Sequence, residues 1–150
     1  MKPKIAILVA LALMLGTTTF ASGRSKFDPE VFNTFDKKFS GAKEVSWKES
    51  DKYVKATFKL NDQRMSAYFT QAGELIGVSR NVLISYLPVN LQIELKKQVQ
   101  DGWITELLEF STEETTVYYA TIEKPDQKVT IKSSGASRWL TYKKVKKEAL

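Results

Sequence analysis

The 150-residue sequence contains no cysteine and no histidine. Without cysteine, the chain cannot form a disulfide, use a thiolate nucleophile or hold zinc through sulfur. Without histidine, it lacks the commonest general base and metal ligand. The sequence also has no phosphate-binding glycine loop, no G-x-S-x-G motif and no calcium-binding acidic loop. We therefore expect no cofactor and no metal ion, and the composition favours a protein that is not an enzyme.

One motif of a catalytic type is present at residues 40–43. Ser40 and Lys43 match the S-x-x-K pattern of serine β-lactamases and penicillin-binding proteins. A pattern with two required positions occurs often by chance, and the accompanying S-D-N and K-T-G motifs are missing. We interpret the motif as a helix stop, with an enzyme that uses Ser40 and Lys43 as the minor alternative. Glu106 and Glu109 are not expected to form an acid–base pair, because an odd offset on one strand places them on opposite faces.

The first 21 residues have the pattern of a Sec-type signal peptide. Lys2 and Lys4 form a basic start, and an uninterrupted apolar run follows at 5–15. This run is too short to span a membrane as a mature helix. We expect cleavage near Ala21, a domain that comprises 22–150, and a periplasmic or secreted mature chain without stable membrane insertion. An uncleaved N-terminal anchor is the alternative.

The charge of the mature chain is mildly positive. The whole sequence has 23 basic and 17 acidic residues, and the signal segment removes two lysines and no acids, which leaves 21 against 17, a net charge of +4. The lysines are scattered and form no stripe interleaved with aromatic residues, so we expect no nucleic-acid partner. The basic tail at 143–147 is interpreted as a solvated terminus, with weak contact to an anionic surface as the alternative.

Hydrophobic periodicity predicts two helices, each followed by strands. Asp28 and Pro29 are typical of a helix start, and the phenylalanines after them recur at helical spacing until Gly41. Pro88 can open a second helix that ends near Gly102. The remaining segments alternate apolar and polar residues and predict strands near 45–48, 53–60, 64–69, 75–78, 103–110, 117–122, 128–132 and 138–142.

A short stretch of the sequence occurs in two versions. ATFKLNDQR at 56–64 is echoed by ATIEKPDQK at 120–128, which begins 64 positions later. We therefore predict an α+β fold with a tandem duplicated unit, in two repeats at about 28–82 and 86–143. Each repeat is a short helix followed by a roughly four-stranded antiparallel sheet, and the two repeats share a core or one continuous sheet.

The first half of the mature chain resembles the PepSY-like, β-lactamase-inhibitor-like secreted proteins of the Bacteroidetes. The matching positions are Phe39, Gly41, Ala42, Lys43, Val45, Trp47, Tyr53, Ala56, Phe58, Tyr68, Phe69, Gly73 and Leu75. The resemblance extends more loosely to about Lys143, and the final turn at 133–135 lacks the family's aspartates. It implies a tandem repeat whose sheet can present a concave face, as in inhibitors that grip an enzyme.

The polar faces of the predicted strands carry the candidate contact residues. We predict partner contacts at Tyr53, Lys55, Tyr68, Trp103 and Tyr119, because exposed aromatic residues are favoured in interfaces. Plain cross-strand pairing on a solvated face is the alternative. All three tryptophans are expected in the core, with Trp103 the most exposed of them. The resulting hypothesis is an exported, non-enzymatic binding protein that docks a protein or peptide of the cell envelope on its sheet. The alternative is a small-ligand carrier with a pocket between helices and sheet.

Overall fold

The computed structural model describes residues 27–148, which form one eight-stranded antiparallel sheet and two helices. The strands lie in the sheet in chain order, so each strand pairs with the next one along the sequence. The elements are α1 (Pro29–Lys38), β1 (Lys43–Glu49), β2 (Val54–Leu60), β3 (Gln63–Phe69), β4 (Leu75–Asn81), a short 3₁₀ turn (Ile84–Tyr86), α2 (Val89–Val99), β5 (Trp103–Ser111), β6 (Thr116–Glu123), β7 (Gln127–Ser134) and β8 (Arg138–Lys146).

The predicted tandem of duplicated helix-plus-four-strand units is wrong. Residues 78–81 of β4 pair with residues 108–111 of β5, so the described strands form one eight-stranded sheet and not two four-stranded ones; of the predicted arrangement, only the shared continuous sheet is found. Pairing these strands satisfies backbone groups that two separate sheets would leave unpaired at their edges. The two Ala-Thr pairs, at 56–57 and 120–121, lie in β2 and β6 of this one sheet. The predicted signal peptide and its cleavage site lie outside the described residues.

Local chemistry explains where the helices begin and end. The backbone N–H of Glu30 donates to Asp28 Oδ1 at 2.9 Å, and Pro29 occupies the first helical position of α1, which confirms the predicted start. Lys37 and Lys38 lie in the last turn, where positive charge favours the helix dipole. Helix α2 begins after Pro88 without a side-chain cap.

Both helices pack on the same face of the sheet. Directly paired residues point to one face, and the paired row Met65, Arg80, Glu109 and Tyr118 runs from β3 to β6 on the helix side. Helix α1 covers β1–β4, and its buried residues pack with Val54, Ala56, Phe58, Ala67 and Phe69. Helix α2 covers β5–β8, where its leucines pack with Leu107, Ala120, Ile122, Val129, Ile131 and Trp139.

Two side chains lie outside the core in which the sequence pattern places them. Trp47 packs against the α1 cluster and Trp139 is buried, but Trp103 is 56% exposed. Val45 is predicted to point inward and is 37% exposed. Val45 lies at a bulge between Lys43 and Ser46 in β1, an edge strand that has a neighbouring strand on one side only.

A partly buried ion pair lies between the two helix-covered regions. Arg80 Nε donates to Glu109 Oε1 at 2.7 Å, and Arg80 Nη1 donates to Gln63 Oε1 at 3.3 Å. These contacts join β3, β4 and β5 on the helix side, at the place where the two apolar clusters adjoin. Removal of either charged residue would leave the charge of the other partly desolvated and without an ion-pair partner.

Two glycines of similar backbone conformation provide a matched stability test. Gly73 has φ +92° and Gly135 has φ +63°, so alanine strains both turns. A Cβ on Gly73 would also lie 2.7 Å from the carbonyl carbon of Glu30, whereas nothing lies within 4 Å of one on Gly135. We expect Gly135→Ala to lower the free energy of unfolding by about 1 kcal/mol and Gly73→Ala by about 3 kcal/mol or more. Urea unfolding measures both, and equal losses would contradict the close contact with α1.

Candidate functional site

The face of the sheet opposite the helices, which we call the open face, carries a cluster of aromatic residues. Tyr68 and Tyr119 are only 3% and 8% exposed, although neither helix covers them. Their burial comes from neighbouring strands: the ring centroids of Tyr53 and Tyr68 are 5.4 Å apart, those of Tyr68 and Phe110 are 5.7 Å apart, and those of Tyr119 and Tyr142 are 5.4 Å apart. All three contacts have the edge-to-face geometry that aromatic pairs favour.

A glycine makes room for this cluster where β4 pairs with β5. Gly77 pairs with Tyr68, and the Phe110 ring from β5 lies over it. A Cβ on Gly77 would be 2.7 Å from Cζ of Phe110. The aromatic residues of the two halves of the sheet are therefore continuous across the β4–β5 pairing.

Rows of hydroxyl side chains lie beside the aromatic residues on the same face. Thr57 Oγ1 and Ser66 Oγ are 3.2 Å apart, and Thr121 Oγ1 and Thr130 Oγ1 are 3.4 Å apart. Thr57 and Thr121 are the threonines of the two Ala-Thr pairs. Because these side chains are short, the surface is lower where they lie than at the neighbouring rings.

One of these low regions is a pocket of about 160 Å³ on the open face, formed by β5–β8. Its lining residues are Glu106, Leu108, Tyr119, Thr121, Lys128, Thr130, Tyr142, Lys143 and Val145. Two aliphatic side chains and two tyrosine rings form apolar walls, and two threonines and three charged residues complete the lining. A cavity of about 150 Å³ can hold a benzene ring, so the pocket is large enough for one amino-acid side chain.

Glu106 is the acidic residue of this pocket and is only partly compensated. Burial raises the pKa of Glu106, while Lys128, the hydroxyl of Thr121 and Lys55 act in the opposite direction. The Thr121 hydroxyl donates to Glu106 Oε2 at a long 3.5 Å. Within residues 27–148, Glu106 takes part in no salt bridge. A half-buried carboxylate of this kind favours a ligand that can donate a hydrogen bond.

Lysines surround the aromatic cluster and the pocket. Lys55 Nζ lies 5.5 Å from the ring centroid of Tyr68, and Lys132 Nζ lies 5.7 Å from that of Tyr119. Both distances suit a cation–π contact. Lys128 and Lys143 line the pocket itself. The centre of the open face is therefore positively charged, since these four lysines outnumber Glu106 and Glu123, the carboxylates beside them.

The predicted contact residues all lie on the open face, but not all of them lie together. Tyr53, Lys55, Tyr68 and Tyr119 meet in or beside the aromatic cluster. The rings of Tyr68 and Tyr119 are buried by their neighbours, so they form part of the surface of the sheet and do not project from it. Trp103 lies apart, at the start of β5, with Lys147 Nζ 5.8 Å from its ring.

The pocket and its charged residues are not apparent from the sequence. The sequence raises Glu106 only as a partner for Glu109, and the structure confirms that these two point to opposite faces, toward Thr121 and Arg80 respectively. Lys128 belongs to what the sequence presents as scattered charge. Lys143 belongs to the basic tail that the sequence presents as a solvated terminus, whereas the structure places it in β8 and in the pocket lining. The alternation of apolar and polar residues along each strand could have placed Glu106, Lys128 and Lys143 on the open face. The register between strands, which brings the three residues to one pocket, does not follow from this alternation.

The S-x-x-K motif lies at the end of α1, as the helix-stop interpretation predicts. Ser40 is in the turn after the helix, Lys43 begins β1, and neither residue is buried. In the described part of the chain, no group of three or more acidic residues is arranged to hold a metal ion.

A second exposed surface, which we call the apolar patch, lies on the helix side. It comprises Leu83, Ile84, Tyr86, Val89 and Ile93, from the 3₁₀ turn and the outer side of α2. Beside it is a depression of about 300 Å³ lined by Gln63, Arg80, Asn81, Val82, Leu83 and Tyr86. The patch is not apparent from the sequence, because Val89 and Ile93 have the same helical spacing as buried residues of α2. Neither helix of residues 27–148 is long and apolar enough to cross a membrane.

Comparison with known proteins identifies the fold. The chain is similar to a protein from Bacteroides eggerthii DSM 20697 that is predicted to be periplasmic, with a TM-score of 0.71, 15% identity and coverage of 80% of this chain and 88% of the other. It is also similar to a BLIP-like protein from Bacteroides fragilis NCTC 9343, with a TM-score of 0.69 and 15% identity. This match covers 85% of this chain and 92% of the other. A DUF2874 family protein from Bacteroides ovatus ATCC 8483 matches with a TM-score of 0.68 and 15% identity. This match covers 87% of this chain and 89% of the other.

These likenesses support the β-lactamase-inhibitor-like part of the predicted resemblance at the level of the fold. They do not show a PepSY-like relation. The sequence itself matches no protein-family model and no curated protein.

The electrostatics of Glu106 predict a variant that gains stability. Because burial raises its pKa, the charged carboxylate destabilises the fold above the folded-state pKa, and this cost vanishes below the unfolded-state pKa, where both states are protonated. We expect Glu106→Gln to raise the free energy of unfolding at neutral pH and to leave it unchanged near pH ~3. Urea unfolding at the two pH values measures the effect.

Glu123 is the matched control, because Lys147 bonds to it at 2.8 Å and lowers its pKa. A lowered pKa contributes stability above the unfolded-state pKa that is lost as pH falls through the folded-state pKa. Glu123→Gln should therefore be slightly destabilising at neutral pH. If both variants lose stability there, the assignment of Glu106 as an uncompensated carboxylate is incorrect.

Proposed function

We propose that this chain is an exported, non-enzymatic binding protein that docks a protein or peptide partner of the cell envelope on its open face. The observation that carries the proposal is the aromatic cluster around Tyr68 and Tyr119, which is surrounded by lysines and left without a helix over it. Aromatic residues with a polar rim are typical of protein interfaces.

The comparisons and the N-terminal pattern support the same assignment. The solved structures of this fold include a BLIP-like protein and a protein predicted to be periplasmic. A fold of this class is compatible with recognition of a protein through the sheet. The basic start and apolar run of residues 1–21 are typical of export.

The alternative functions have less support. An enzyme that uses Ser40 and Lys43 would need these side chains in contact within a pocket, and neither is buried where it lies beyond the end of α1. A ligand carrier is expected to bind between helices and sheet. The pocket at Glu106 and the depression at Arg80 contain no residue of α1 or α2.

Charge reversal on the two faces tests where the partner docks. The mature chain is immobilised and used to capture proteins from an envelope extract of the source organism. We expect Lys55→Glu combined with Lys132→Glu to reduce capture of a specific partner at least ~10-fold, because both lysines beside the aromatic cluster are lost and the charge at these positions is reversed. Quantitative mass spectrometry measures capture, and circular dichroism verifies that each variant is folded.

Lys96→Glu combined with Lys144→Glu is the control, since it changes the net charge equally. Lys96 is exposed on α2, and Lys144 pairs with Val129 of the helix-side core. This control should retain capture. Equal loss in both double variants, or loss only in Val89→Glu of the apolar patch, would refute docking on the open face.

A further inference from the structure

The charges around the Glu106 pocket restrict the partner. Lys128 and Lys143 line the pocket, and Lys55 and Lys132 lie over the rings of the adjoining aromatic cluster. These four lysines outnumber the neighbouring carboxylates of Glu106 and Glu123, and Glu123 is already paired with Lys147. A partner segment with acidic side chains would complement this surface, whereas a basic segment would meet repulsion from the lysines.

The pocket restricts the side chain that can enter it. Its walls include Leu108, Tyr119 and Val145, and its volume of about 160 Å³ is close to that of a cavity that holds a benzene ring. A lysine or arginine side chain could pair with Glu106, but it would bring its positive charge close to Lys128 and Lys143. A carboxylate would be attracted by the two lysines, but it would lie against the half-buried Glu106, to which it can donate no hydrogen bond. A neutral aromatic side chain avoids both conflicts.

Glu106 adds a requirement for a hydrogen-bond donor. Its carboxylate is half-buried, accepts one long hydrogen bond from Thr121 and forms no salt bridge with the residues at 27–148. A donor on the ligand would supply the missing bond, and a hydrogen bond to a charged acceptor contributes more than one between neutral groups. A phenol combines the ring that the walls favour with the donor that the carboxylate needs.

We infer that the open face recognises an acidic peptide segment that inserts one tyrosine side chain into the Glu106 pocket. The phenol hydroxyl donates to the carboxylate of Glu106, and the carboxylates on either side of the tyrosine pair with Lys128, Lys143 and the lysines of the aromatic cluster. This inference rests on the proposed docking function and names the chemistry of its partner.

Defined peptides test the inference directly. The probe is a capped peptide with a central tyrosine flanked by glutamates, compared with one in which phenylalanine replaces the tyrosine and one in which lysines replace the glutamates. Titration of the ¹⁵N-labelled mature chain, followed by NMR, locates each binding site and measures each affinity. We expect the tyrosine–glutamate peptide to shift signals of β5–β8, to bind ~10-fold more tightly than the phenylalanine peptide, and to weaken as salt is added.

Two variants of the protein separate the pocket from the rest of the face. Thr130→Phe places a ring in the pocket and should weaken the tyrosine peptide at least ~10-fold. Thr57→Phe makes the same change in the other hydroxyl row, outside the pocket lining, and should leave the affinity nearly unchanged. Amide spectra of the free variants show whether each one is folded.

Each other outcome overturns a specific part of the proposal. If the lysine-flanked peptide binds more tightly, or the phenylalanine peptide binds equally well, the inferred partner chemistry is wrong. Open-face docking stands in that case when the shifted signals fall on the open face. If peptides shift only signals of the apolar patch, both proposals fail. If no peptide binds, the inference fails, and the charge-reversal capture experiment decides the docking function separately.

Discussion

The pairing of β4 with β5 is the constraint on which the rest of the structure depends. It joins the strands under α1 to those under α2, so both helices lie on one side of a single sheet. On that side, it brings Arg80 to Glu109 between the two apolar clusters. On the other side, it places the ring of Phe110 over Gly77. One backbone pairing therefore determines both the covered face and the uncovered one.

The open face combines features that stability alone does not explain. Aromatic rings such as Tyr68 and Tyr119 are buried by their neighbours on adjacent strands, which stabilises the sheet without a covering layer. Glu106 destabilises the sheet, because its carboxylate is partly desolvated and lacks an ion pair within the described chain. Destabilising groups that persist in a pocket are typical of functional sites.

Local signals in the sequence are sufficient for most elements. Asp28 and Pro29 mark the start of α1, and Pro88 marks the start of α2, because caps and proline act within one turn. Period-two alternation places Tyr68 and Tyr119 opposite the helices. The same alternation predicts a buried Val45, which is instead exposed at a bulge of the edge strand β1. The echoed Ala-Thr pairs suggest duplicated units, but they are positions on two strands of one continuous sheet.

The sequence by itself determined which residues form helices, which form strands, and which side chains share a face of a strand, since these properties follow from backbone geometry over a few residues. Only the tertiary structure decided that β4 pairs with β5, and that Glu106, Lys128 and Lys143 surround Thr121 and Thr130 in one pocket. Strand pairing is made mainly by backbone hydrogen bonds, which any residue except proline can form, so the partner and register of a strand depend on how the whole chain packs.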